Sequence, residues 1–292
     1  MRGNARSHEM VAPGDLAGVL ELLAAEPNAW TPIAGGTELM VAYAAGRLNA
    51  KKLVSLWGIP ELRFIEWNEE SVSIGAATTF RDLRAAARIA VEFPLLAQSA
   101  GWIGSIANQS RATLGGNLAN GSPAADSSPV LLAYDAEVET ISARGRRRFP
   151  YSAFHTGYKR NVLAPDELLF ALHLPRRFAG HQQYLRKVGT RRAMAISKVA
   201  LVVTALIEAN RVQEIRIAAA SLAAFPTRLT ATESALTGNL LDAAVIACAQ
   251  AALLKEAQPI DDIRSTAEYR RKVAANLLGE CLQQFAAGSG TR

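Results

Sequence analysis

The stretch Ile33-Ala34-Gly35-Gly36-Thr37-Glu38-Leu39 contains the first of two glycine pairs that are the most informative feature of this chain. The second pair lies in Thr113-Leu114-Gly115-Gly116-Asn117-Leu118-Ala119-Asn120-Gly121-Ser122-Pro123-Ala124-Ala125-Asp126. A glycine pair beside a hydroxyl residue lets the backbone approach a charged ligand and direct several N–H groups toward it. One such pair most often forms only a turn. Two pairs, each flanked by hydroxyl, amide and carboxylate side chains, predict a diphosphate held from two sides.

The residues around each pair have separate roles in this hypothesis. Backbone N–H groups of residues 35–38 would bind one phosphate, and those around Gly115 and Gly116 would bind the other. The hydroxyl groups of Thr37 and Thr113 would add hydrogen bonds. A ribityl or ribose chain needs both donors and acceptors, which Asn117, Asn120, Ser122 and Asp126 provide. For residues 120–123 alone, a plain surface turn is the alternative interpretation.

Other chemistries have little support in the sequence. Neither pair matches the dinucleotide motif G-x-G-x-x-G, and no Lys-Ser/Thr follows at the spacing of a phosphate-binding Walker loop. The four histidines lack metal-ligand spacing, and we expect His173 to be packed rather than reactive. No serine has the context of a nucleophile elbow. If the chain belongs to an enzyme, a cofactor performs the chemistry.

Bulk properties exclude several classes of protein. The 292 residues suffice for two domains, and the net charge of +6 comes largely from short arginine runs such as 144–148, which we interpret as solvated loops and helix faces. Few aromatic residues lie among these arginines, so a nucleic-acid surface is not indicated. Cys248 and Cys281 are expected to fill the core, and two cysteines cannot ligate a four-thiolate iron–sulfur cluster. The sequence begins without a signal peptide, and its longest aliphatic runs fall short of a membrane span; we therefore predict a cytoplasmic protein.

Hydrophobic periodicity predicts an α+β lobe followed by a second unit. In the lobe we expect a helix capped by Asp15, and strands and helices in the following ranges: strands 30–34, 52–56, 62–67, 71–75, 137–141 and 168–174; helices 16–23, 38–45, 79–90 and 94–100. The segment after the second glycine pair has little regular periodicity. Beyond Pro175 we expect antiparallel strands at 184–188, 200–208 and 214–221, and helices at 230–236, 242–255 and 266–286. Ser265 and Glu268 have the spacing of a capping box for the last helix.

The two glycine segments together resemble those of the FAD-binding medium subunit of the molybdenum hydroxylases. That family includes carbon monoxide dehydrogenase, bacterial xanthine dehydrogenases and related aldehyde or N-heterocycle oxidoreductases. The likeness continues through further motifs in the same order, at residues 154–159, 166–169, 186–192 with 196–199, and 265–271. It therefore covers nearly the whole chain.

The resemblance implies an α+β fold in two domains. Residues 1–177 would form a PCMH-type FAD-binding lobe of two α/β subdomains. Residues 178–287 would form a smaller C-terminal domain of the carbon monoxide dehydrogenase flavoprotein type, with a three-stranded antiparallel sheet and helices. Residues 288–292 would be a disordered tail.

The resemblance also implies a set of cofactor-binding residues and no catalytic or metal-binding residue on this chain. Ser122 and Asp126 would contact FAD, and Lys198 would lie near the flavin ring, where a cation stabilises the anionic reduced flavin. Lys187 is a weaker candidate for that role, and a solvated strand residue is the alternative for Lys198. The implied set is Pro32, Ile33, Ala34, Gly35, Gly36, Thr37, Glu38, Leu39, Thr113, Gly115, Gly116, Asn117, Ser122, Asp126, Lys187 and Lys198.

Two features depart from the family pattern. Residues 104–111 differ from the Gln-Ile-Arg-Asn type of run expected before Thr113, which puts side-chain contacts there in question. His155 stands where the family often has a second Phe, so that packing near the flavin would change.

The function implied by the resemblance is electron transfer within a heteromeric molybdenum hydroxylase. Electrons would arrive from [2Fe–2S] clusters on a small partner subunit, after oxidation of the substrate at a molybdopterin centre on a large one. FAD on this chain would pass them to NAD⁺, a quinone, O₂ or another acceptor, in a dimer of heterotrimers. This chain alone would not hydroxylate the substrate. The alternatives are a free-standing PCMH-type flavin oxidoreductase and a flavin-free binding or scaffold module.

Overall fold

The computed structural model of the chain describes residue 4 and residues 7–191 and 194–288. Arg192, in the 186–192 motif, and residues 289–292 of the predicted tail lie outside these ranges. Gly288, which the sequence placed in the tail, is the last residue of a helix. Within the described ranges, no helix combines the length and the apolarity that a membrane crossing requires.

The first 175 residues consist of short strands and short helices. The strands, in chain order, are β1 (Glu9–Val11), β2 (Trp30–Ile33), β3 (Lys52–Ser55), β4 (Ile65–Trp67), β5 (Ser71–Gly75), β6 (Glu137–Ser142), β7 (Gly145–Pro150), β8 (His155–Gly157), β9 (Arg160–Asn161), β10 (Leu168–Pro175), β11 (Gln182–Val188), β12 (Val199–Glu208), β13 (Arg211–Ala220) and β14 (Thr227–Arg228). The helices are α1 (Leu16–Ala25), α2 (Leu39–Ala44), α3 (Phe80–Ala85), α4 (Ala87–Glu92), α5 (Pro94–Ala100), α6 (Ile106–Gln109), α7 (Leu114–Asn120), α8 (Ser128–Ala133), α9 (Thr230–Leu236), α10 (Ala243–Glu256) and α11 (Ala267–Gly288).

A three-stranded parallel sheet with the order β1-β3-β2 begins the lobe. Helix α1, between β1 and β2, starts where predicted, because the Asp15 carboxylate accepts a hydrogen bond from the Gly18 amide at 2.8 Å. Its buried residues Leu16, Val19 and Leu23 pack in one cluster with Trp30 of β2. The first glycine pair follows β2 and precedes α2, so the predicted strand-to-helix turn is confirmed.

A five-stranded antiparallel sheet with the order β4-β5-β10-β6-β7 forms the centre of the lobe. Strand β10 lies between β5 and β6, and its seven residues from Leu168 to Leu174 are all buried. Helices α3, α4, α5, α7 and α8 contribute to the apolar core on one face of this sheet. On the other face His173 is buried between two partners, Ser73 Oγ at 2.8 Å and Glu139 Oε2 at 2.7 Å. His173 is thus packed and hydrogen-bonded, as predicted.

The C-terminal part contains an antiparallel sheet with the order β11-β12-β13-β14. The three predicted strands are present, and the two-residue strand β14 pairs with Ala218 and Ala219 as a fourth. Ala209 and Asn210 join β12 to β13 with φ of 46° and 61°, the left-handed conformation of a tight hairpin turn. Helices α9, α10 and α11 share a core with this sheet. The α+β fold class is confirmed.

Helix α8 connects the two parts of the chain. All six of its residues are buried, and its core cluster includes Leu185, Val202 and Ala218 from the C-terminal sheet. The Thr204 hydroxyl donates to the Ala133 carbonyl at 3.1 Å. These contacts fix the C-terminal sheet against the lobe.

Several local expectations were wrong. The predicted helix 79–90 is two helices, because Ala86 has an extended ψ of 97° between them. Of the predicted strand 62–67, only β4 forms, and Pro60–Leu62 is a single 3₁₀ turn. The hydroxyl of Thr266, not that of Ser265, accepts from the Tyr269 amide at the start of α11.

Two further corrections concern particular residues. Cys248 is exposed on α10, whereas Cys281 is buried as expected. The second glycine pair does not open an irregular segment, because both glycines lie in the first turn of α7. Helix α7 ends at Gly121 with φ of 61°, a left-handed C-cap.

The arginine run 144–148 belongs to an edge strand rather than to a loop or a helix face. Arg146, Arg147 and Arg148 lie on β7, with their side chains about half exposed. Each is paired with a carboxylate, on Glu139, Glu167 and Glu137 respectively, and Arg144 is paired with Asp166. The run therefore offers no unpaired cation.

Candidate functional site

A cavity of about 710 Å³ lies between the two glycine loops. One wall is the segment from Thr31 to Leu39, which holds the first pair. The opposite wall contains Thr113, Gly115, Gly116 and Asn117 of the second loop. The cavity therefore brings together the predicted residues Pro32, Ile33, Ala34, Gly35, Gly36, Thr37, Glu38, Leu39, Thr113, Gly115, Gly116 and Asn117.

The two loops touch at Gly35. A Cβ added to Gly35 would lie 1.7 Å from the carbonyl oxygen of Arg111 and 2.4 Å from its carbonyl carbon. The Arg111 guanidinium stacks on Trp57, 3.7 Å from the ring centroid, and its Nε donates to the Gly35 carbonyl at 3.4 Å. Glycine is required at position 35 so that two backbone segments of this chain can meet. The sequence suggested instead that it admits a ligand.

The backbone amides of the first loop have no acceptor in the described part of the chain. No main-chain or side-chain oxygen there accepts from the amides of residues 35–39; the first bonded amide is that of Met40, which donates to the Gly36 carbonyl at 2.9 Å. Gly36 has φ of 75°, the left-handed conformation that produces a concave row of N–H groups. Thr37 and Leu39 are only half-buried, so this row is accessible from the cavity. Such a row binds anions.

The amides of the second loop are already bonded. The Leu114 and Gly115 amides donate to the carbonyls of Thr78 and Ala76 at 3.0 and 2.8 Å. The Gly116 amide donates to the Thr113 hydroxyl at 3.1 Å. The amides of Gly115 and Gly116 thus already have acceptors in this structure, and their binding of a second phosphate stays a prediction.

Close packing explains the glycine at position 115, because a Cβ there would lie 2.6 Å from the Cβ of Ala76. What the second loop presents to the cavity is polar side chains. Asn117 Oδ1 accepts from the Ser127 hydroxyl at 2.8 Å, which leaves the Asn117 Nδ2 group to donate to a ligand. The Asn120 side chain also lines the cavity. This loop is suited to sugar hydroxyl groups rather than to a phosphate.

Another part of the wall comes from the hairpin of β8 and β9 and from the segment that leads into β10. Its lining includes Lys159, Asn161 and Glu167 together with apolar side chains. Burial alone would raise the pKa of Glu167, but hydrogen bonds from Arg147 and Thr140 outweigh it and hold the pKa below its usual value. Glu167 is thus an ionised residue of the cavity wall, and its carboxylate is hydrogen-bonded to Arg147 and Thr140.

Two predicted residues, Asp126 and Lys187, form a second cluster with Ser197 outside this cavity. Asp126 accepts from Lys187 Nζ and from the Ser197 hydroxyl, each at 2.6 Å. The side chains of Asp126 and Lys187 are each 11% exposed. Burial raises the pKa of Asp126, although the Lys187 ammonium and the Ser197 hydroxyl act in the opposite direction. A buried carboxylate held in this way has a fixed orientation.

Lys198 follows Ser197 at the edge of this cluster. Its carbonyl accepts from Arg270 Nη1 at 2.7 Å, and Arg270 is itself only 2% exposed. The Lys198 ammonium lies 5.3 Å from the ring centroid of Tyr269. Ser122, the last predicted site residue, accepts from the Ala124 amide at 3.3 Å in its own turn. Ser122, Asp126, Lys187 and Lys198 do not line the cavity, and their contact with a cofactor stays a prediction.

A polar connection joins the cavity to the second cluster. Asn117, on the cavity wall, is hydrogen-bonded to Ser127, and Ser127 directly follows Asp126 in the chain. Asn117 thus links the cavity wall to the segment that carries Asp126.

The two departures from the family pattern have structural explanations. In the 104–111 segment, Ser105 and Asn108 form a reciprocal capping box for α6, and Asn108 also lines the cavity. The segment therefore still forms part of the cavity wall, although its residues differ from the run expected for the family. His155 is buried, with its Nε2 3.0 Å from the Tyr151 hydroxyl and its ring against Phe225, and burial lowers its pKa. A neutral His155 packs as an aromatic ring does.

Sequence reasoning missed most of the wall outside the glycine loops. The missed lining residues are Thr31, Leu56, Leu62, Ala76, Ala77, Ile103, Gly104, Asn108, Ala112, Ala119, Lys159, Asn161, Leu163, Ala164, Pro165, Glu167, Leu168 and Leu169. Most are apolar and look like ordinary core residues in a sequence. Lys159 and Asn161 gave a signal, as polar residues in a short turn within the 154–159 motif and just after it.

The architecture defines the class of protein: an α+β chain with a row of amides without acceptors among the described residues, on the wall of a cavity large enough for a dinucleotide cofactor. Residues 6–177 match the family described as the FAD binding domain in molybdopterin dehydrogenase. Residues 184–285 match the CO dehydrogenase flavoprotein C-terminal domain. The chain belongs to this family of flavoprotein oxidoreductase subunits, and FAD is its cofactor.

Individual relatives agree with that assignment. The chain is similar to the xanthine dehydrogenase FAD-binding subunit of Escherichia coli O157:H7, with 29% identity over 279 residues and 94% of each chain covered. It is 28% identical to the carbon monoxide dehydrogenase medium chain of Hydrogenophaga pseudoflava, covering 86% of this chain and 87% of the relative. A chain of the reconstituted CO dehydrogenase from Oligotropha carboxidovorans matches the fold with a TM-score of 0.92 at 25% identity, covering 98% of this chain and 99% of that one.

Proposed function

We propose that this chain is the electron-transfer subunit of a heteromeric molybdenum hydroxylase. In this role it takes electrons from [2Fe–2S] clusters of a partner subunit and delivers them to NAD⁺, a quinone, O₂ or another acceptor. When bound, FAD supplies the capacity to exchange electrons singly or in pairs. The observation that carries the proposal is the row of five amides without an acceptor among the described residues, at positions 35–39, on the wall of a cavity of about 710 Å³.

The residues present fit FAD. The first loop supplies neutral N–H donors for a diphosphate, which needs several donors in a concave arrangement. Asn117 and Asn120 supply side-chain amides for the sugar and ribityl hydroxyls. The apolar wall suits a flat ring system, since ligand cavities are mostly apolar with a few placed polar groups.

The flavin end of the cofactor is proposed to lie toward Asp126 and Lys198. Asp126 is held by Lys187 and Ser197, so its carboxylate can orient a ring N–H without turning. Lys198 has its backbone held by Arg270 and offers an ammonium beside Tyr269. A cation there would favour the reduced, anionic form of the ring by Coulomb attraction.

The partners are proposed from the chemistry that this chain lacks and from its relatives. Two cysteines cannot ligate a four-thiolate cluster, and several relatives are named as the medium chain or a subunit of a dehydrogenase complex. We expect a large molybdopterin-binding subunit and a small [2Fe–2S] subunit, in a dimer of heterotrimers. Residues 1–177 would be the FAD-binding domain and residues 178–287 the C-terminal domain. A cytoplasmic location stays a prediction.

The test has two stages. The purified chain should bind added FAD, with quenching or enhancement of flavin fluorescence, and should then show NADH-linked or other diaphorase activity. A colourless chain indifferent to FAD would support the scaffold alternative and refute the proposal. In the second stage the flavin-loaded chain is mixed with the co-expressed small and large subunits. Hydroxylase turnover should require all three; turnover of an organic substrate by this chain alone would favour the free-standing oxidoreductase.

A further inference from the structure

Among the residues that the structure describes, Lys159 is the one cation on the cavity wall. The described lining residues include Glu38 and Glu167 but no arginine and no lysine other than Lys159. Its Nζ lies 3.1 Å from Glu38 Oε1, at the first glycine loop. Both side chains are exposed, 42% for Lys159 and 58% for Glu38, so this ion pair is weak and easily exchanged.

The backbone of Lys159 is held in an uncommon conformation. Lys159 has φ of 51°, which a residue with a side chain adopts only at a cost in free energy. The turn packs against Gly121, where a Cβ would lie 3.0 Å from the Lys159 Cα. Gly121 ends helix α7, whose first turn holds the second glycine pair. The backbone of Lys159 is therefore held in place relative to the second loop.

We propose that Lys159 is the counter-ion of the FAD diphosphate and that its ammonium exchanges Glu38 for a phosphate oxygen when the cofactor binds. The inference rests on the proposed function. The diphosphate carries two negative charges, whereas the amides of residues 35–39 are neutral donors. A hydrogen bond between an ammonium and a phosphate is stronger than one between uncharged groups. The nearby Arg111 is engaged with Trp57 and the Gly35 carbonyl and does not line the cavity.

In this proposal the backbone amide and the side-chain carboxylate of Glu38 have opposite effects on phosphate binding. Its amide belongs to the row that binds the anion, whereas its carboxylate competes with the phosphate for Lys159 and repels it. Removing only the carboxylate charge should therefore strengthen FAD binding. A purely structural ion pair would give the reverse result.

The experiment measures FAD dissociation constants of the full chain by flavin fluorescence, at low and high salt. At low salt Lys159→Met should weaken binding about five- to tenfold, Lys159→Arg should stay within about twofold of wild type, and Glu38→Gln should tighten binding about two- to threefold. Arg160→Met removes a neighbouring cation that does not line the cavity, and it should change the constant less than about twofold.

Salt separates a charge effect from a structural one. At about 1 M salt, where the screening length is only about 3 Å, Lys159→Met and wild type should converge to within about twofold. A deficit that persists at high salt, or a Lys159→Met variant that binds as well as wild type at low salt, would overturn the proposal. Failure of the wild-type chain itself to bind FAD would instead refute the proposed function.

Discussion

Replacing Gly35 by alanine tests how the two glycine loops are held together. The added Cβ would overlap the Arg111 carbonyl, with 1.7 Å to its oxygen, 2.4 Å to its carbon and 3.0 Å to the Ala112 nitrogen. A carbon atom approaches a carbonyl oxygen to about 3.3 Å, so the loops would have to separate by roughly 1.6 Å. All three neighbours are backbone atoms, and no side-chain rotation can relieve the overlap.

The expected cost is that of overpacking, about 1–3 kcal/mol in the free energy of unfolding. For a lobe of this size that lowers the melting temperature by about 2–4 °C per kcal/mol. Separation of the loops should also weaken FAD binding, because the row of amides at residues 35–39 starts at the substituted position. Gly36→Ala should cost less, about 1–2 kcal/mol, since its φ of 75° is unfavourable for alanine but its nearest neighbour is the flexible Met40 side chain at 3.3 Å.

Thermal unfolding with and without FAD, together with a fluorescence titration, measures both effects. Gly58→Ala is the matched control, because nothing lies within 4 Å of a Cβ there and the change should stay within about 0.5 kcal/mol. The expected order of destabilisation is Gly35, then Gly36, then Gly58. A Gly35→Ala chain that unfolds and binds FAD like the Gly58→Ala chain would refute the proposed contact between the loops.

Three further predictions concern the C-terminal part of the chain. Arg270→Met removes a buried guanidinium from Asp262 and the Lys198 carbonyl, and it should lower the free energy of unfolding in urea by about 3 kcal/mol. Lys272→Met, the control in an exposed pair with Glu268, should have no effect. Equal results for the two variants would contradict this account. The hydrogen bond from Arg264 lowers the pKa of Asp262 to about 2, so its stabilisation, about 1 kcal/mol, is present above pH 3.8 and lost as the pH falls from 3.8 toward 2. Asp262→Asn should therefore reduce stability at neutral pH but not near pH 2, and a parallel offset at every pH would argue against the ion pair. A thiol reagent should label native Cys248 quickly and Cys281 only after unfolding, because Cys281 is buried and burial raises its thiol pKa. Fast labelling of a native Cys248→Ser chain would disprove the protection of Cys281.

Local patterns in the sequence were sufficient for most of the C-terminal sheet and helices. Strands β12 and β13 alternate or run apolar over ten residues each, and the turn between them contains Asn210, a residue that tolerates positive φ. Asp15 and the first glycine pair were placed correctly because a cap and a strand-to-helix turn are also local signals.

What the sequence did not predict depends on contacts between distant segments. Gly115 looked like a loop residue, yet it is glycine because helix α7 packs against Ala76. The bonded state of the Gly115 amide depends on the Ala76 carbonyl, 39 positions away in the chain, and no local pattern reports it. The position of β10 between β5 and β6, and the apolar wall of the cavity, likewise follow from tertiary packing.

The arginine-rich strand β7 has a consequence for assembly. It is the outer strand of its sheet, and it ends at Pro150, which has no N–H group to donate. An incoming strand would have to displace charged side chains that are already neutralised by Glu137, Glu139 and Glu167. This edge of the sheet is therefore unfavourable for pairing with a strand of another chain.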